Sequence, residues 1–285
     1  MGLAALRVRT DERDRVAGQA LDTRRLDVVV DIGGFPVRLC VNDPAFLQLL
    51  ETRYAGFVKR TGEAMFEFTI NLAPPALSSE EDVRVSWDAG RWSMARGDFR
   101  AEWNPSTGRG QIRQTANPYS LDSVLRILHT LLLAREGGFL MHAASVVRNS
   151  RAFLFAGLSG AGKTTIAKLA PPDAIVLTDE ISYVRKQQGQ YYAFGTPFSG
   201  ELAEPGDNIR APLAAVYLLA KGPTNTIEPL GLADASRALL RNILFFASDA
   251  ALVQEVFQAA CDFVGDRPVR RLTFVPDPSV WEFLT

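Results

Sequence analysis

The sequence predicts an α/β fold organised around a phosphate-binding loop and preceded by a β-rich part. Three observations carry that prediction. Residues 157–164 read Gly-Leu-Ser-Gly-Ala-Gly-Lys-Thr, a complete G-x-x-x-x-G-K-[ST] pattern, with a short apolar strand at 152–156 before it and a helix-compatible run after it. Residues 175–178, Ile-Val-Leu-Thr, form a buried-strand run that delivers Asp179-Glu180 to its carboxyl end. Up to about residue 117, short alternating runs are cut by turn residues, as in an antiparallel meander.

The elements follow in order. Residues 28–39 read as two strands joined by Gly33-Gly34. Asn42-Asp43-Pro44 caps a helix with Phe46, Leu47 and Leu50 on one face. Residues 65–70 alternate like a strand. From 83 to 114, strands are separated at Ala89-Gly90, Arg96-Gly97-Asp98 and residues 104–108. Trp87, Trp92 and Trp103 lie in this meander, where alternating aromatics are more often core than partner-binding. Residues 121–134 make an amphipathic helix, with His129 on its polar side as a surface residue. After the phosphate loop, Pro171-Pro172 stops the helix early, and Gln187–Gln190 turns a hairpin. Then come a strand at 214–219, helices at 233–246 and 251–263, and a last strand at 271–275.

Composition narrows the classes. The chain has 285 residues, 47% hydrophobic and 22% charged, with net charge −1, so nothing draws it to nucleic acid or an anionic membrane. Its longest apolar stretches, near 127–134 and 213–220, fall far short of the ~20 residues that span a bilayer. The start has no extended apolar core with a cleavage site, so no secretory signal is expected. Cys40 and Cys261 lack a C-x-x-C partner and read as reduced thiols. A cytoplasmic location is expected.

The chemistry concentrates at the loop. Gly157, Gly160 and Gly162 let the backbone turn and aim N–H groups at an anion, with Ser159, Ala161 and Thr165 completing the cradle. Lys163 is placed to reach the terminal phosphates, and the Thr164 hydroxyl to ligate Mg²⁺. Asp179 is the natural general base, or a metal residue. It stands beside the loop if the two strands are neighbours, and Glu180 takes the other role. His142, in an apolar strand before the loop strand, is by pattern alone more often a satisfied core residue than a functional one.

Taken together, these residues resemble the HPr kinase/phosphorylase superfamily, whose P-loop fold is shared with phosphoenolpyruvate carboxykinase. The shared order is a histidine strand (His142), the loop at 157–164, and an apolar strand ending in paired acids at Leu177-Thr178-Asp179-Glu180. The end of the chain, residues 269–274, also resembles the closing strand of HPr-kinase-related proteins near peptide-modification genes, including lasso-peptide kinases. The resemblance implies an α/β P-loop HPr-kinase/phosphoenolpyruvate-carboxykinase-like sheet with a β-rich N-terminal part. It implies Asp179 as proton acceptor for a serine hydroxyl, assisted by His142. It also implies an acid and an arginine from 198–210, Glu201 and Arg210, near metal and phosphates. The pattern departs from the family in three respects. Glu180 stands where an aspartate is usual. The phosphorolysis-linked signature is missing, so reverse reaction with pyrophosphate is not implied. The N-terminal part differs, so HPr itself is a poor candidate substrate.

The expected organisation is therefore a β-rich part at 1–117, which recognises the acceptor, and a P-loop kinase domain at 118–285. The expected reaction is transfer of the γ-phosphate of ATP, with Mg²⁺, to a hydroxyl. The acceptor is a serine of a peptide or protein, or a small hydroxylated metabolite, and homo-oligomer formation stays open. Two rivals remain at this level: an NTP hydrolase in which Glu180 activates water, and a nucleotide-binding regulatory protein without turnover.

Overall fold

The computed structural model of the chain describes residues 26–59, 62–74, 82–202 and 206–284. The first 25 residues, including the segment read for a secretory signal, lie outside the described residues. Within them the chain is mixed α/β, with two large sheets and five helices.

The first sheet is drawn from β1 (Leu26–Ile32), β2 (Phe35–Val41), β3 (Val58–Lys59), β4 (Phe66–Leu72), β5 (Arg84–Asp88), β6 (Arg91–Arg96), β7 (Phe99–Asn104) and β8 (Arg109–Gln114). Its order is β3-β1-β2-β4-β8-β7-β6-β5. Helix α1 (Pro44–Arg53) makes the crossover that lets β2 and β4 run parallel. Asp43 caps that helix by accepting the Phe46 N–H at 2.8 Å, and Phe46 and Leu50 are buried, as their spacing predicts. The meander appears at β5 to β8, with turns where the sequence places them. Trp92 and Trp103 are core; Trp87 is 43% exposed and rests on Trp92 at 5.0 Å between ring centres.

Helix α2 (Pro118–Arg135) lies between this sheet and the second. Asn117 caps it through the Tyr119 N–H at 3.0 Å. One apolar cluster joins Val30, Phe68 and Trp103 of the first sheet to Leu121, Leu125 and Leu128 of α2 and to Leu140, Ile181 and Tyr183 of the second. Because α2 is covered on both sides, Ser120, Asp122, His129 and Thr130 are buried along with its leucines. His129 is therefore not a surface residue. It packs at 0% exposure with Nδ1 3.1 Å from the Tyr183 hydroxyl.

The second sheet contains β9 (Phe139–Arg148), β10 (Arg151–Ala156), β11 (Ile175–Thr178), β12 (Ile181–Gln187), β13 (Gln190–Phe194), β14 (Arg210–Lys221), β15 (Thr226–Pro229), β16 (Ile243–Leu244) and β17 (Val269–Phe274). Strand β14 pairs in parallel with both β10 and β17. The antiparallel β9 pairs with β10 along one edge and with β11 and β12 in succession along the other. The loop strand and the acid strand are thus not neighbours: β9 separates them, and it is β9 that carries His142.

Helices α3 (Lys163–Lys168), α4 (Leu232–Leu240) and α5 (Ala250–Asp266) pack on this sheet. The expected helix over 233–246 ends at Leu240. There the Asn242 side chain donates to the Ala238 carbonyl at 2.8 Å, and its own carbonyl accepts the His142 N–H at 2.7 Å. That exchange turns the chain into the sheet, and Ile243-Leu244 pairs with β9. Among the described residues no helix is long and apolar enough to cross a membrane.

Candidate active site

β10, β11 and β14 point their carboxyl ends at one edge of the second sheet, where open α/β sheets place ligands. The antiparallel β9 brings its beginning there too: Ala143 pairs with Ala156, the last residue of β10, so His142 stands one residue beyond the strand end. His142 of β9, Lys221 of β14 and residues of the segments that follow β10, β11 and β13 line an open cleft of about 720 Å³. Its walls include His142, Ser159, Gly160, Gly162, Lys163, Thr164, Thr165, Asp179, Glu180 and Glu201. Gly157 and Ala161 shape the loop from behind: a Cβ on Gly157 would lie 2.7 Å from the Ala161 Cβ.

The loop's form follows from its residues. Gly162 has φ +105°, in the left-handed region where L side chains are strained. A Cβ there would also lie 2.7 Å from Phe274 Cζ at the end of β17. Lys163 is mostly buried. Its ammonium donates to the carbonyls of Gly157 at 2.9 Å and Leu158 at 3.3 Å, which holds it over the loop.

The two acids differ in setting. Asp179 is 3% exposed; its Oδ1 accepts the Gly200 N–H at 2.9 Å and its Oδ2 the Leu202 N–H at 3.0 Å. The Glu180 side chain is 32% exposed and meets Arg126 Nη2 of α2 at 3.8 Å. Burial raises the Glu180 pKa above the usual carboxylate value, opposed by Arg126 and reinforced by Asp179. Burial lowers the pKa of Lys163, which Glu180 and Glu201 partly restore. His142 is likewise lowered, first by burial and then by Lys163 and Arg126, so its imidazole is neutral near pH 7.

The donors facing the cleft include the Thr164 hydroxyl and the Glu180 and Glu201 carboxylates, the oxygen chemistry a hard cation such as Mg²⁺ takes. Among the described residues no three His, Cys, Asp or Glu side chains gather closely enough to hold an ion by themselves. The residues fit a Mg²⁺ that draws its other ligands from phosphate and water.

Arg210 does not approach this cleft. It opens β14, bonded to Gln187 and 4.9 Å over the Tyr192 ring, while the cleft lies at the strand's other end, beside Lys221. Sequence reasoning missed three residues here. Lys221 ends the apolar run of β14, the same signal that marks Asp179. Ser199 carries no signal beyond a turn. Arg126 is a lone charge within a leucine-rich helix, where spacing alone suggests nothing.

A family model described as the SynChlorMet cassette protein ScmC matches residues 113–283. No curated protein matches the chain. Among solved structures, the Hpr(Ser) kinase/phosphatase from Coxiella burnetii aligns at 10% identity over 44% of this chain and 89% of its own, with a TM-score of 0.23. That superposition is too loose to carry an argument about activity.

Proposed function

The chain belongs to the ScmC family of SynChlorMet cassette proteins, and on that premise we propose that it is an ATP-dependent kinase transferring the γ-phosphate to a hydroxyl. The acceptor is a serine of a peptide or protein, or alternatively a small hydroxylated metabolite. One observation carries this reading: the glycine loop with Lys163, the imidazole of His142 and the Asp179-Glu180 turn all open onto one cleft. Phosphoryl transfer needs those parts, a phosphate cradle, a cation and a carboxylate facing the nucleophile.

In this reading the backbone of residues 157–165 holds the phosphates, and Lys163 neutralises charge on them. Burial lowers the Lys163 pKa, and an anionic ligand would oppose that shift as Glu180 and Glu201 already do. Mg²⁺, when bound with the nucleotide, would neutralise further charge, with the Thr164 hydroxyl and the Glu201 carboxylate as its protein oxygens. His142 stays neutral and is placed to orient a hydroxyl. The Asp179-Glu180 turn supplies the proton acceptor, the role that both the strand pattern and the resemblance give to Asp179. The hydroxyl oxygen bonds to the γ-phosphorus as the bond to the bridging oxygen breaks. The electron pair leaves with ADP, and the hydroxyl proton passes to the carboxylate.

The test is mass spectrometry of Mg²⁺-ATP reactions with serine-bearing peptides and hydroxylated metabolites, beside a Lys163→Ala control. The expected product is heavier by one phosphoryl group and absent with the variant. ADP formed at one rate with or without every acceptor would replace the kinase by a hydrolase. ATP binding without turnover would favour a regulatory protein.

A further inference from the structure

Resting on the phosphotransfer reading, we infer that the adjacent acids divide the work: Asp179 is a positioning residue that latches segment 196–202 over the cleft, and Glu180 is the carboxylate offered to the reacting atoms. The segment is fastened to the acid turn at four points. The Thr196 hydroxyl donates to the Ile181 carbonyl at 3.1 Å, and the Thr178 hydroxyl to the Phe198 carbonyl at 3.3 Å. The Gly200 and Leu202 N–H groups donate to the two oxygens of Asp179. The approach is so close that a Cβ on Gly200 would lie 2.9 Å from Glu180 Cβ and 3.0 and 3.1 Å from the Asp179 oxygens.

A carboxylate buried to 3% exposure, with each oxygen on a backbone N–H, is committed to the loop. Its oxygens are held by the Gly200 and Leu202 amides and turned to the loop, which leaves the neighbouring Glu180 as the carboxylate presented to the open cleft. Glu180 is about a third exposed and faces Lys163, Arg126 and the cleft. The latch also has a functional payload. Between the two anchored amides sits Glu201, whose carboxylate lines the cleft and whose charge acts on Lys163. Asp179 would therefore influence transfer through the placement of Glu201, while the proton of the attacking hydroxyl goes to Glu180.

Three measurements on the full chain test this. Hydrogen exchange without nucleotide should show the Gly200 and Leu202 amides exchanging about tenfold faster in Asp179→Asn, and unchanged in Glu180→Gln. Formate should restore phosphoryl transfer to Glu180→Ala by about tenfold, because it replaces a missing reacting carboxylate, and should leave Asp179→Ala inactive. In a double-mutant cycle, Glu201→Gln should lower kcat in the wild-type background and add little to Asp179→Asn. If Asp179→Asn does not fold, Gly200→Ala keeps both acids and should reproduce the faster exchange and the loss of transfer. Rescue of Asp179→Ala by formate, with the loop amides still protected, would overturn the assignment. If the wild type transfers no phosphoryl group to any acceptor, the kinase reading falls, and the exchange measurement still decides the latch.

Discussion

Burial sets the protonation of individual side chains in two places, with opposite consequences. At His129, a fully enclosed ring between Tyr183 and Phe35, burial pushes the pKa down to about 3, with Arg185 adding to the effect. The folded state keeps this ring neutral, while the unfolded chain protonates it below its usual value near 6.5. The unfolded state therefore binds the extra proton, and stability must fall as pH drops from about 6.5 toward 3. Above that window the contribution is complete. Urea unfolding at pH 7 and pH 5 should show a loss about 2 kcal/mol larger in wild type than in His129→Gln. Equal losses would mean that His129 is protonated in the fold. In the cleft the same desolvation drives Glu180 up and Lys163 and His142 down, toward neutral forms. On the proposed function, an arriving phosphate would offset that cost at Lys163 and a cation would offset it at Glu180.

Among elements, the strand–loop–helix unit depends on contact with the far end of the sheet. Gly162 combines a left-handed backbone with a close approach to Phe274, so the loop is held by β17 although more than 100 residues separate them. Gly162→Ala should meet both problems at once. Backbone strain of about 1–3 kcal/mol and a displaced ring are expected to weaken Mg²⁺-ATP binding by at least about tenfold in calorimetry. Unchanged affinity would show that the loop adapts without β17. Between β9 and α4, Asn242 closes the helix and supports the His142 backbone. A helix that continued to residue 246, as periodicity suggests, would remove that support.

The whole molecule is tied together by α2 and by Arg185. The Arg185 guanidinium donates to the Gly33 carbonyl at 2.9 Å and lies 4.0 Å over the Phe35 ring, so the β1–β2 turn rests on β12. With one apolar cluster running through both sheets, the full chain is expected to unfold in a single cooperative transition. A fragment of residues 118–285 would expose the part of the shared apolar cluster that the first sheet covers, and is expected to aggregate or melt without cooperativity. Calorimetry and size exclusion of both proteins check this. Two separate transitions, or a monomeric fragment with a sharp melt, would mean that the parts are independent.

Local pattern alone determined the glycine loop with its flanking strand and helix, the cap at Asp43, the meander, and the acid turn after β11. Each depends on a few consecutive residues whose backbone preferences and apolar spacing are sufficient. Tertiary structure decided what those pieces meet. The insertion of β9 between loop strand and acid strand brought His142 to the cleft, and the second sheet covering α2 buried His129. Segment 196–202 closed on Asp179, and the length of β14 carried Arg210 away while bringing Lys221 in. Such outcomes turn on which faces are covered and which distant amides find a partner, and periodicity along one chain segment holds no record of either.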